Sequence, residues 1–207
     1  MRRFLVYAVL ATLGVSLPIV SGCASTPPTR LYILPSLVGP DTTPGASAPK
    51  RDLTVGVGPV TLPPYLDRPQ IVLRASRSKL ALAEFDQWAA SLQDAFARML
   101  AENLSLLIPT DHVVLAPWPR TTAIDYQVVV EVTRFDGSVG GEVVLAARWS
   151  IAGADGKELI MRQSRLTAPA GGQEYEAIVT AMGRTLEALS REITAILLSL
   201  APQPAAR

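Results

Sequence analysis

One cysteine and one histidine occur in 207 residues, and these two scarcities remove much of the chemistry a chain of this size can hold. A lone cysteine allows no disulfide within the chain and no multi-thiolate metal site, so stability has to come from packing. His112, the sole histidine, would need carboxylates as its only companions around a metal, which argues against a zinc centre. It follows Asp111 just after Pro109, the setting of a solvated turn residue rather than of a general base. The phosphate-cradling glycine loop with lysine, the Gly-x-Ser-x-Gly elbow and the His-Glu-x-x-His helix are all missing, and Gly56-Val57-Gly58 lacks the third glycine of a dinucleotide site. Asp67, Glu84 and Asp86 lie close in sequence, but catalytic acid pairs are defined by separation in space. A spanning helix needs about 20 apolar residues. The stretch from Phe4 to Val20 is shorter and is broken by Gly14 and Pro18.

That stretch has another use. Met1-Arg2-Arg3 supplies a cationic start, and the apolar run closes on Val20-Ser21-Gly22-Cys23, with small residues before the cysteine. This is the pattern of a lipoprotein signal. Cleavage before Cys23 leaves its thiol for diacylglycerol and a new amino group for a further acyl chain. Each buried methylene adds about 0.8 kcal/mol of membrane affinity, so several long chains hold a protein at a bilayer. Arg2-Arg3 lacks the polar surroundings of a twin-arginine signal, so general secretion is expected. Ala24, not aspartate, follows the cysteine, which points to the inner leaflet of an outer membrane facing the periplasm. Removing Arg2 and Arg3 with the leader leaves 17 basic against 18 acidic side chains, a net charge of −1 that gives nucleic acid nothing to bind.

Residues 23–52 are rich in Pro, Thr, Ser, Gly and Ala and read as a lipidated tether, with Leu31 to Leu34 a candidate edge strand. A single domain is expected over 53–201, with 202–207 a disordered tail. Leu53 to Val60 reads as a strand. Gln70–Ser76 and Lys79–Phe85 read as a hairpin with Ile71, Leu73 and Ala75 on one face. Beyond Asp86 the spacing turns helical, with Trp88, Leu92, Phe96, Met99, Leu100, Leu104 and Leu107 on one stripe and Pro109 as the stop. His112–Leu115 is a short strand. Tyr126, Val128, Val130 and Val132 alternate in the next one, and turns at Gly140-Gly141 and Asp155-Gly156 make a meander. Tyr175–Leu200 is a second long helix, whose apolar stripe is too wide for a narrow coiled-coil seam. The expected fold is α+β, a mainly antiparallel sheet with both helices on one face.

After the lipobox, the stretch from Val57 to Val72 is the most informative. Pro59, Pro63, Pro64 and Pro69 pre-set its backbone, and Tyr65 and Arg68 are residue types that anchor interfaces. A rigid crossover between strands explains the same prolines equally well. Together with Leu31-Tyr32-Ile33-Leu34-Pro35, Phe85-Asp86-Gln87-Trp88-Ala89, Asp125-Tyr126 and Arg134-Phe135-Asp136-Gly137, this stretch resembles the auxiliary lipoprotein family of MCE-type ABC transport systems, whose best-known branch is the paraquat-inducible (Pqi) lipoprotein. The likeness spans nearly all of the chain after the leader.

The resemblance implies a non-catalytic outer-membrane component that receives a periplasm-spanning MCE-domain protein, supports lipid movement between membranes and envelope integrity, and self-associates. Energy comes from an ATPase elsewhere in such a system. No cofactor is expected beyond the covalent lipid on Cys23. Pro63, Tyr65, Leu66, Arg68 and Pro69 are the expected partner-binding residues. The rival expectation is a lipid carrier with an apolar cavity between helices and sheet, walled by Trp88, Phe96 and Trp149.

Overall fold

The computed structural model describes residues 27–36 and 50–201; the expected leader, Cys23, residues 24–26 and 37–49 of the expected tether and the expected 202–207 tail lie outside the described residues. Strand β1 (Arg30–Tyr32) is followed by β2 (Thr54–Thr61), a 3-10 turn at Pro64–Leu66, and the hairpin β3 (Gln70–Arg74) and β4 (Leu80–Trp88). Helix α1 (Leu92–Leu107) leads to β5 (His112–Leu115). The meander β6 (Tyr126–Gly137), β7 (Glu142–Gly153) and β8 (Glu158–Pro169) then runs into helix α2 (Tyr175–Leu200).

Among the described residues, eight strands form one mixed sheet in which the two longest pairings, β6 with β7 and β7 with β8, are antiparallel. β7 occupies one edge of β6 along its whole length, so the other edge is shared. β2 pairs parallel along Tyr126 to Glu131, and β3 meets the same edge further on, parallel, with Leu73 opposite Gly137. β2 and β3 therefore lie one after the other beside β6, and Leu62 to Pro69 is an excursion between them. β1 is the outer strand beyond β4, parallel to it, with Arg30 opposite Asp86 and Tyr32 opposite Trp88. The candidate edge strand in the tether thus belongs to the sheet.

A bulge between Val132 and Arg134 explains how β6 keeps one dry face over twelve residues. Val128, Val130 and Val132 are buried before it, and Phe135 takes over after it, because the extra residue at Thr133 switches which parity points inward. On β7 the same face carries Val143, Leu145, Ala147, Trp149 and Ile151, all buried. Both helices pack on this face. Phe96 of α1 meets Phe135 edge-on, with centroids 5.3 Å apart. Asn103 Nδ2 of α1 donates to Ser190 Oγ of α2 at 3.1 Å, which satisfies two buried polar groups between the helices. Leu186, Leu189 and Ile193 of α2 are fully buried, each worth about 2 kcal/mol of transfer from water.

The structure corrects the expected helix start. Trp88 ends β4 instead of opening α1: its N–H donates to the Pro69 carbonyl at 2.7 Å, and Ser91 caps the helix by accepting from the Asp94 N–H. The β3 expectation also changes, because Val72 is buried along with Ile71 and Leu73, whereas Ala75 is exposed in the turn.

Candidate docking surface

The excursion from β2 to β3 is held at several points. Gly58 sits at φ +125°, where a Cβ would lie 2.7 Å from that of Ala116, and its carbonyl accepts from Gln127 Nε2 at 2.7 Å. The Leu62 N–H donates to Gln93 Oε1 of α1 at 3.3 Å. The 3-10 turn closes through the Leu66 N–H to the Pro63 carbonyl and the Asp67 N–H to the Pro64 carbonyl, and Pro69 is fixed by Trp88.

Within this loop, Tyr65 turns inward. Its hydroxyl donates to Asp136 Oδ2 at 2.9 Å. Asp136 has no solvent exposure and also accepts from Arg74 Nε and Nη2 at 2.8 and 2.7 Å and from Arg134 Nε at 2.9 Å. Burial by itself would raise the carboxyl's pKa, but the hydrogen bonds from Arg74, Arg134 and Tyr65 outweigh it and hold it below the usual carboxylate range. Tyr65 is pushed up by burial and by the Asp136 charge. This cluster ties the excursion to the place where β3 meets β6.

A second buried acid pins β1. Asp86 accepts from Arg30 Nε and Nη2 at 2.7 and 2.8 Å and from the Tyr32 hydroxyl at 2.7 Å. The Arg30 hydrogen bonds lower its pKa against the cost of burial, while burial and then the hydrogen bond to Asp86 push Tyr32 up to about 12. Leu34 is buried just beyond, and Pro35 lies against Gly183 of α2.

The five expected partner-binding residues therefore divide. Leu66 is 3 % exposed and belongs to the core, a correction that follows from its position at the end of the 3-10 turn, facing in. Tyr65 is committed to Asp136, and Pro63 is partly buried as the turn's N-cap. Arg68 and Pro69 are exposed, as is Asp67 between turn and strand. Among the described residues, Arg68 has no ion-pair partner. Asp67, Arg68 and Pro69 line an open cleft of about 410 Å³ with Trp88, Ala90 and Leu92. On its other wall Trp88 lines an apolar cleft of about 350 Å³ with Tyr32, Ile33, Leu34, Pro35 and Met99.

Of the three residues expected to wall a lipid cavity, Phe96 and Trp149 fill the core instead. Phe96 meets Phe135 edge-to-face, and Trp149 Nε1 donates to Ser164 Oγ at 2.9 Å. His112 is exposed on the outer strand β5, beside the Lys50–Asp111 ion pair. Among the described residues no group of three or more His, Cys, Asp or Glu side chains is placed to hold a metal, and no helix is long and apolar enough to cross a membrane.

The two buried acids were missed from sequence. Each follows a phenylalanine within a strand, at Phe85-Asp86 and Phe135-Asp136. Aspartate is depleted in strands and costly to bury without partners, so an aspartate there is a signal in itself.

This fold and the positions of its motifs define a class. A sequence model of the ABC-type transport auxiliary lipoprotein component family matches residues 32–194, and the chain belongs to that family. It is 30% identical over 159 residues to the intermembrane transport lipoprotein PqiC of Escherichia coli (strain K12), covering 77% of this chain and 81% of that protein. Two crystal structures share the fold. One is of a Xanthomonas campestris protein (TM-score 0.68, 16% identity, 82% of this chain and 95% of that one); the other is of an uncharacterized protein (TM-score 0.67, 23% identity, 83% and 99%).

Proposed function

We propose that this chain is a non-catalytic lipoprotein of an MCE-type ABC transport system, fixed by acyl chains on Cys23 to the inner leaflet of the outer membrane. There it docks a periplasm-spanning MCE-domain protein and so supports lipid movement between membranes. Family membership and the likeness to an intermembrane transport lipoprotein support the transport role. The observation that carries the docking surface is the fixed excursion between β2 and β3. Tyr65 on Asp136 and Trp88 on Pro69 order it before any partner arrives, while Arg68 is held outward with its charge unpaired. A preordered loop loses little entropy on binding, and an arginine with free donors is a good anchor. Self-association belongs to the same proposal.

Capture of the MCE-domain protein by the full-length lipoprotein tests the surface. Arg68→Glu is exposed and leaves the Asp136 cluster intact, so it is expected to lose capture without losing the fold; undiminished capture refutes this surface. Metabolic labelling with a clickable palmitate analogue tests the anchor: label is expected on the wild type and absent on Cys23→Ala.

A further inference from the structure

The anchor residue is separated from the sheet by very little chain, and the direction of β1 decides which end of the molecule that chain approaches. Arg30 is the seventh residue after Cys23, so the two Cα atoms are at most about 25 Å apart. β1 runs parallel to β4, and β4 starts at the β3–β4 turn, so the residues before Arg30 come from the side of that turn. The turn after β6 lies at the same end, because Leu73 of β3 is level with Gly137. By register Arg30 stands three to four residues back from Arg74, roughly 12 Å from the turns. An extended 23–29 segment overshoots them by only about as much again.

The opposite end is out of reach. The β7–β8 turn is about 25 Å from the level of Arg30 along the sheet and four strands across it, another 19 Å or so. The near end also has a surface suited to lipid headgroups. Arg77 and Lys79 are exposed in the β3–β4 turn, Val139 is 47 % exposed in the β6–β7 turn, and Leu82 is 51 % exposed on β4. Glu142 and Glu174 share this end, so its charge is mixed and the short anchor, more than attraction, sets the orientation.

We propose that the end bearing the β3–β4 and β6–β7 turns rests on the bilayer that holds the acyl chains, with Arg77 and Lys79 among the phosphates and Val139 at the interface. This rests on lipidation of Cys23. The molecule then stands with β6 running toward the membrane, β7 leading away from it, and the β7–β8 turn pointing into the periplasm.

Because Cys23 carries lipid, an added cysteine is the one free thiol. Full-length lipidated protein bearing Ser78→Cys, Val139→Cys or Ala154→Cys is labelled with an environment-sensitive fluorophore and placed in phosphatidylcholine–phosphatidylglycerol vesicles containing headgroup-spin-labelled lipid. Flotation reports the anchor and quenching reports the orientation. Loss of fluorescence at positions 78 and 139 with none at 154, in protein that floats, is the expected result. Floating protein quenched equally at all three positions, or most at 154, overturns the orientation alone. Protein that fails to float overturns the anchor and the orientation with it.

Discussion

At the scale of single residues, two buried aspartates join separate segments of the sheet, Asp86 linking β1 to β4 and Asp136 linking β3 and the Tyr65 turn to β6. Removing Asp136 would leave the partly buried guanidiniums of Arg74 and Arg134 side by side without their shared anion. Asp136→Ala is therefore expected to cost about 3–5 kcal/mol in urea denaturation, whereas Tyr65→Phe, which deletes one hydrogen bond to a charged acceptor, should cost about 1.5–3 kcal/mol. The sign of the pH effect follows from the same groups. Asp86 and Asp136 are both held below the usual carboxylate range in the folded protein, so their contribution is complete above the unfolded pKa and is lost as pH falls through the folded values. Thermal melts should show Tm dropping below about pH 4, with a shallower drop in Asp136→Asn. An unchanged slope in that variant would show that other carboxylates control acid unfolding. None of this was legible beforehand. The sequence shows Tyr65 as an anchor-type residue, but its hydroxyl partner is 71 positions away and no local spacing announces it.

At the scale of elements, periodicity carries far. α2 spans Tyr175–Leu200 and β5 spans His112–Leu115, as their spacing implies, because each is bounded by strong breakers and has one unbroken pattern. Trp88 failed for an instructive reason. It stands four residues before Leu92 and continues the helical stripe, so only the serine cap at Ser91 marks the boundary. Segment 30–36 shows how far composition reaches: the apolar island is legible as a candidate edge strand, but its place in the core is not. Leu34 enters the core, and Gly183 leaves room for Pro35, since a Cβ there would lie 2.5 Å from Pro35 Cγ. Gly183→Ala gains about 1 kcal/mol of helix propensity, so overall stability is a poor readout. The expected outcome is local: hydrogen exchange should accelerate at the β1 amides while α2 amides stay protected. Retained protection at β1 would mean that the ladder to β4 and the bonds of Arg30 and Tyr32 to Asp86 hold the strand without the Pro35–Gly183 contact.

At the scale of the whole molecule, the sheet is stitched by contacts that sequence reading does not reach. An α+β fold with both helices on one face follows from element order, but the parallel junctions of β2 and β3 with β6, and of β1 with β4, join segments far apart in the chain. Since β6 touches β2, β3 and β7, and both helices cover the same face, no part of 53–201 has a core of its own. Unfolding should be one cooperative transition, with tryptophan fluorescence and far-ultraviolet circular dichroism giving coincident curves; separated midpoints would reveal an independent subdomain. The parallel alignment of β1 and β4 has a mechanical side. Tension applied through the residues before Arg30 acts along the strand, so the ladder to β4 and the Arg30–Asp86 bridge are strained together, in shear, rather than peeled apart one bond at a time.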